Sequence, residues 1–174
     1  MPSNRDDDDD DNSDGTFSYT AAEAPLFDAV FRFLKSATYE EKRGLIAEHP
    51  LLLTPAAGSM LDRIAEAHNR SGSPESADTT AAWAEFLEHC REHSFDYALA
   101  YSAINELFVG LPDNPGVWGT YLRTIAQREQ RLHTPDADAA LGDFIQKMID
   151  DDVEPVIAPL EGLRGMLRQV RARA

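Results

Sequence analysis

The chain has 174 residues, 43% apolar and 27% charged, with 31 acidic against 16 basic side chains and a formal net charge of −15. So acidic a chain is ill suited to nucleic acid, where affinity comes mostly from neutralised phosphates, and to an anionic membrane leaflet. Its one cysteine, Cys90, excludes an intramolecular disulfide and a cysteine-rich zinc site. No basic-then-apolar leader is present and no apolar run approaches the ~20 residues that span a bilayer, so a cytoplasmic protein is expected.

At roughly 150 residues per domain, this length predicts one compact unit behind a tail. Residues 1–18 set Arg5 against seven aspartates, a net −6, and hold almost no apolar side chains. Such a segment cannot offset its ordering entropy and is predicted to be disordered. A solubilising leader is the simpler reading of it, an acidic docking arm the other. The remaining −9 belongs to the body, residues 19–174, which is predicted to be a single helical domain.

From Ala21 onward apolar residues recur every three or four positions, and period-two alternation is absent, which predicts an all-α bundle or short array of about seven or eight helices. The first helix carries Leu26, Phe27, Val30, Phe31 and Leu34 on one stripe. Thr38 with Glu41 forms a capping box for a short second helix that His49-Pro50 closes. Thr54-Pro55 opens a third, burying Met60, Leu61 and Ile64. Ser71 to Thr80 reads as the longest polar loop of the body.

A fourth helix shows Trp83, Phe86, Leu87 and Cys90, and after His93-Ser94 a fifth carries Phe95, Leu99, Ile104, Leu107 and Phe108. Gly110 to Gly116, with two prolines and two glycines, is a turn and the natural place for any subdivision. A sixth helix follows with Trp118, Tyr121, Leu122 and Ile125, and Thr134-Pro135 opens a seventh. In the last helix Val156, Leu160, Leu163, Leu167 and Val170 alternate four and three apart like a coiled-coil seam, a route to a homodimer. Pro159 either starts that helix or kinks it.

Among candidate sites, His89-Cys90-Arg91-Glu92-His93 matches the order of inverted zinc peptidases, with both histidines on one helix face and Glu85 a turn earlier. The same residues fit a solvated polar face beside Glu85, Glu88 and Arg91, which is the reading adopted. Cys90 lies on the apolar stripe and reads as a core residue. Asp150-Asp151-Asp152 with Glu154 suits a helix N-terminus, while Arg164, Arg168, Arg171 and Arg173 suit a helix C-terminus or an anionic partner. Phe33, Tyr97 and Tyr101 fall outside the main stripes and line either a second packing face or an exposed groove. No residue is assigned as catalytic, cofactor-binding or metal-ligating, and no cofactor is expected.

Residues 33–67, FLKSATYEEKRGLIAEHPLLLTPAAGSMLDRIAEA, place a Glu-His-Pro-x-Leu-Leu run before Thr-Pro and a leucine-rich helix. They resemble a helical segment of bacterial proteins with tetratricopeptide-like helices, often joined to a caspase-like CHAT protease domain. FLEHCREHSFDYALA, 86–100, resembles the helix that follows there. The likeness covers less than half of the chain and includes no catalytic residue. It implies a helical adaptor in a conflict or signalling system, not the protease.

The function expected is therefore non-catalytic binding of another protein. The rival is a small helical enzyme or ligand carrier with a pocket between helices, lined by residues such as His68, Trp118 and Tyr121, which requires an enclosed cavity above roughly 300 Å³ with converging polar groups.

Overall fold

A computed structural model describes residues 17–171, the side chain of Arg171 excepted. Up to residue 16 the expected tail lies outside the described residues, but its end at 17–18 is corrected. The Phe17 ring stacks on Phe27 at 5.5 Å, and Arg63 lies over that ring and donates to the Ser18 carbonyl at 2.6 Å.

The fold is all-α. Among the described residues eight α-helices run in order as α1 (Ala24–Lys35), α2 (Tyr39–Glu48), α3 (Pro55–Arg70), α4 (Pro74–Glu92), α5 (Phe95–Val109), α6 (Trp118–Ala126), α7 (Ala137–Asp150) and α8 (Glu154–Arg171). Short 3-10 turns stand before α1, α3, α6 and α7, and no strand occurs among the described residues. None of these helices is long and apolar enough to cross a membrane.

The ends follow local chemistry. Thr38 Oγ1 accepts from the Glu41 N–H at 3.2 Å and Glu41 reaches back to the Thr38 N–H at 3.1 Å, the capping box that starts α2. Ser94 Oγ accepts from the Tyr97 N–H and starts α5 directly after His93, while Gly110–Asn114 is non-helical. Most of the expected polar loop from Ser71 to Thr80 is instead helix. Pro74 takes a first-turn position that needs no N–H, and Ala77 and Thr80 are buried in the α4 packing face. Only Ser71-Gly72-Ser73 turn the chain, with Gly72 at φ +77°.

The two Thr-Pro segments resemble each other beyond the dipeptide. Each of Thr54-Pro55 and Thr134-Pro135 follows a 3-10 turn that buries one leucine completely, Leu52 and Leu132, and the next helix buries Leu61 and Leu141 nine residues on. The two starts differ, since α7 begins two residues later behind Asp136.

Two cores result, and they divide lengthwise through α5 rather than at the 110–116 turn. Val30, Phe33, Leu52, Met60, Leu61, Phe86 and Leu87 form the first with Ala98 and Leu99 of α5. Tyr97, Ala100, Tyr101 and Ile104 of the same helix join the second, built on Leu122, Leu132, Leu141, Phe144, Leu160 and Leu163. A helix apolar on all sides is a buried one, and α5 bridges both halves.

The structure decides three readings of side-chain direction. The inward edge of α1 is Ala29, Val30 and Phe33, so Phe33 is fully buried and Phe31, placed in the stripe by periodicity, is 44% exposed. Tyr97 and Tyr101 are buried, a second packing face rather than an open groove. The α8 seam residues Val156, Leu160, Leu163 and Leu167 are buried against α6 and α7, so that surface is not free for a second copy, and Val170 is exposed. Helix α8 neither starts at Pro159 nor ends there; it runs from Glu154 through the proline.

Arg164 and Arg168 are fixed inside the chain. Asp138 of α7 accepts from Arg168 Nε at 2.6 Å and Nη2 at 2.9 Å, and from Arg164 Nε at 3.2 Å. The Arg168 guanidinium first, with Arg164 behind it, holds the Asp138 carboxyl at about 2. Because the folded value lies below the ordinary ~3.9, this contribution is complete above about pH 4 and lost as pH falls toward 2. The urea midpoint of the wild type should therefore fall more steeply than that of Asp138→Asn between those limits. Parallel curves would remove the pair from the acid response. The side chains of Arg171 and Arg173 lie outside the described residues.

Candidate functional site

The motif His89–His93 does not stand on a solvated face as a unit. Glu92 and His93 are exposed, but the His89 side chain keeps only 18% of its accessibility, and both of its ring nitrogens are buried without a hydrogen bond. The reason lies in α5, whose tyrosines pack under α4. Tyr101 lies 4.2 Å from the His89 ring, and Tyr97 stacks at 4.0 Å and 17° on His93. Tyr97 donates its hydroxyl to Asp143 of α7 at 2.7 Å, tying three helices together.

This layer is electrostatically muted. Burial raises the Tyr101 phenol to about 12, and burial followed by the Asp143 bond raises Tyr97 further. Glu85 faces His89 Nε2 at 3.8 Å, beyond hydrogen-bond range, and the imidazole ahead of the more distant Lys147 lowers its carboxyl. The cavity between Glu85, His89, Tyr101, Ser102 and Asn105 has about 40 Å³. That is room for one water molecule, at ~30 Å³ each, beside the unbonded imidazole.

No group of three or more histidine, cysteine, aspartate or glutamate side chains among the described residues converges as metal ligands would. The His89 and His93 rings stand 6.3 Å apart. Cys90 is buried, and desolvation raises its thiol to about 12, the setting of a core residue and not of a nucleophile. The residues offered for the rival pocket separate. Trp118 and Tyr121 pack on the second core, Trp118 donating to the Pro112 carbonyl at 2.6 Å, whereas His68 lines a shallow depression beside Trp83 and Thr80.

Two surface grooves lie elsewhere. Between α1 and α2, an open groove of about 630 Å³ is lined by Phe31, Lys35, Gly44, Leu45 and the Arg32–Glu48 pair. A row of stacked rings leads into it: Phe27 lies 4.1 Å from Tyr19 and 5.8 Å from Phe31, with the Lys35 amine 4.1 Å over the Phe31 ring. Tyr19 and Phe31 are exposed. The second groove, about 450 Å³, lies between α3 and α4 over Leu52, Gly58, Ala81, Ala84 and Leu87. Neither was visible in the sequence, because the first turns on Gly44 and the second on Gly58, Ala81 and Ala84, small residues that periodicity does not weigh.

Comparison with protein-family models, with curated proteins and with solved structures returned no match.

Proposed function

We propose that the chain is a helical docking module that binds another protein through the aromatic face of α1 and the α1–α2 groove. The observation that carries this is the ring row Tyr19–Phe27–Phe31, exposed at both ends and opening into a groove of about 630 Å³. Exposed aromatic side chains are costly to leave in water and are enriched where proteins meet. Rigid rings bury large area at little entropic loss, and the flanking Arg32 and Lys35 supply a polar rim. The resemblance of residues 33–100 to helical adaptor segments supports the same reading, with a conflict or signalling system as its setting.

The test is affinity capture from an extract of the source cell with the full chain, Phe31→Ser and Gly44→Met. Nothing lies within 4 Å of a Cβ added at Gly44, which lines the groove, so a methionine there starts into open space and occupies it. A protein enriched by the wild type and recovered at least fivefold less by both variants is the expected result. Equal recovery by all three removes the α1–α2 face as the docking surface.

A further inference from the structure

We propose that the α3–α4 groove receives a basic, amphipathic segment of a partner protein, with an arginine or lysine side chain at its acidic end and an apolar side chain over Gly58. It shares no lining residue with the α1–α2 groove, and so stands whether or not that face docks a partner.

The groove exists because small side chains meet at the helix pair. Gly58 and Ser59 of α3 face Ala81 and Ala84 of α4, and a Cβ built on Gly58 would meet no atom within 4 Å. Leu52 and Leu87 lie buried beneath the groove, and the apolar surface an occupant can reach belongs to Pro55, Ala81 and Ala84. A glycine in a helix interior weakens it relative to most residues, so open space above Gly58 is retained at some cost to α3.

Charge selects the occupant. Asp62, Glu85 and Glu88 stand on the walls against Arg91 alone. Arg91 is taken up by its own helix, bonded to Glu88 at 3.1 Å and Glu92 at 3.2 Å. Asp62 is exposed and has no ion-pair partner among the described residues. Helix α4 as a whole carries five acidic side chains against one arginine. An anionic segment would meet these carboxylates as like charges, whereas a guanidinium or ammonium beside Asp62 is complementary. The length of the groove, spanning Pro55 to Asp62 on α3, accommodates a short stretch of chain rather than a single small ion.

The probe is a short fluorescein-labelled peptide alternating arginine and leucine, compared by anisotropy with one alternating glutamate and leucine. Gly58→Met fills the groove without changing charge, in a position where methionine is the better helix former. Gly162→Met on α8, also open above its Cβ, is the control. The expected result is salt-sensitive binding of the arginine peptide that drops at least tenfold in Gly58→Met and about fivefold in Asp62→Asn, is unchanged in Gly162→Met, and is absent for the glutamate peptide. Thermal melting of Gly58→Met should be no lower than that of wild type. Equal binding by Gly58→Met and wild type overturns the proposal, since attraction would then belong to the net charge of the body. Failure of the arginine peptide to bind wild type at low salt overturns it as well. Neither result touches the α1–α2 face, which Gly44→Met tests separately.

Discussion

Lys42→Met should destabilise the chain by about 2 kcal/mol in urea titration, although it removes a buried charge that has no carboxylate bonded to it. The Lys42 amine, 3% exposed, donates to the Phe33 carbonyl at 2.7 Å, the Ser36 carbonyl at 3.0 Å and Ser36 Oγ at 2.9 Å. All three of its N–H groups are used at the C-terminus of α1, where the last carbonyls run out of helical N–H donors and the Phe33 carbonyl otherwise accepts only from Ser36. It also lies 4.1 Å over the Trp83 ring and 4.6 Å over Phe33. Burial pushes the amine below its ordinary range, a sign that holding the charge here has a cost.

Methionine matches the stem but leaves the Ser36 carbonyl without its donor, at about 1–3 kcal/mol if it stays buried and unbonded, whereas the Phe33 carbonyl and the Ser36 hydroxyl still bond each other at 2.6 Å. Lost cation–ring attraction adds about 1 kcal/mol. Relief from desolvating the ammonium offsets part of this, which sets the net at about 2 kcal/mol rather than at the sum. Wild-type stability in Lys42→Met would mean that α1 ends without the amine.

How far such features can be read from sequence depends on whether their cause is local. The Thr38–Glu41 box, the start of α5 after His93-Ser94 and the 110–116 turn were legible because each is decided within a few residues. The start of α4 was not. Pro74 to Thr80 looks like a loop because its buried members are Ala77 and Thr80, small side chains that suffice only because α3 lies against them. The rotation of α1 that buries Phe33 and exposes Phe31 is likewise set by α3 and the 3-10 turn at Pro50–Leu53. Half of the His89 motif was read correctly as polar surface. Its other half was hidden because Tyr97 and Tyr101 come from a different helix. Pro159, read from the sequence as a start or a kink of the last helix, stands inside α8, where it removes one N–H while Val156 before it and Leu160 after it stay buried.

The bridging role of α5 leads to the other large effect. Phe144→Ala should lower stability by about 4 kcal/mol, the usual scale for deleting a fully buried ring, because Phe144 meets Tyr101 and Phe108 edge-on, each at 5.6 Å. The sharper expectation concerns where that loss is felt. Trp83 packs in the first core against Phe33, Tyr39 and Phe86, and Trp118 packs on the second, so the two tryptophans report on different halves. If α5 couples the cores, the substitution in the second must also unfold the first. Single-tryptophan chains, Trp83→Phe and Trp118→Phe, should then show fluorescence midpoints that shift together when Phe144→Ala is added. A Trp83 signal that keeps its midpoint while the Trp118 signal falls would make the halves independent. It would also place the α1–α2 and α3–α4 grooves on a unit that folds without α6, α7 and α8.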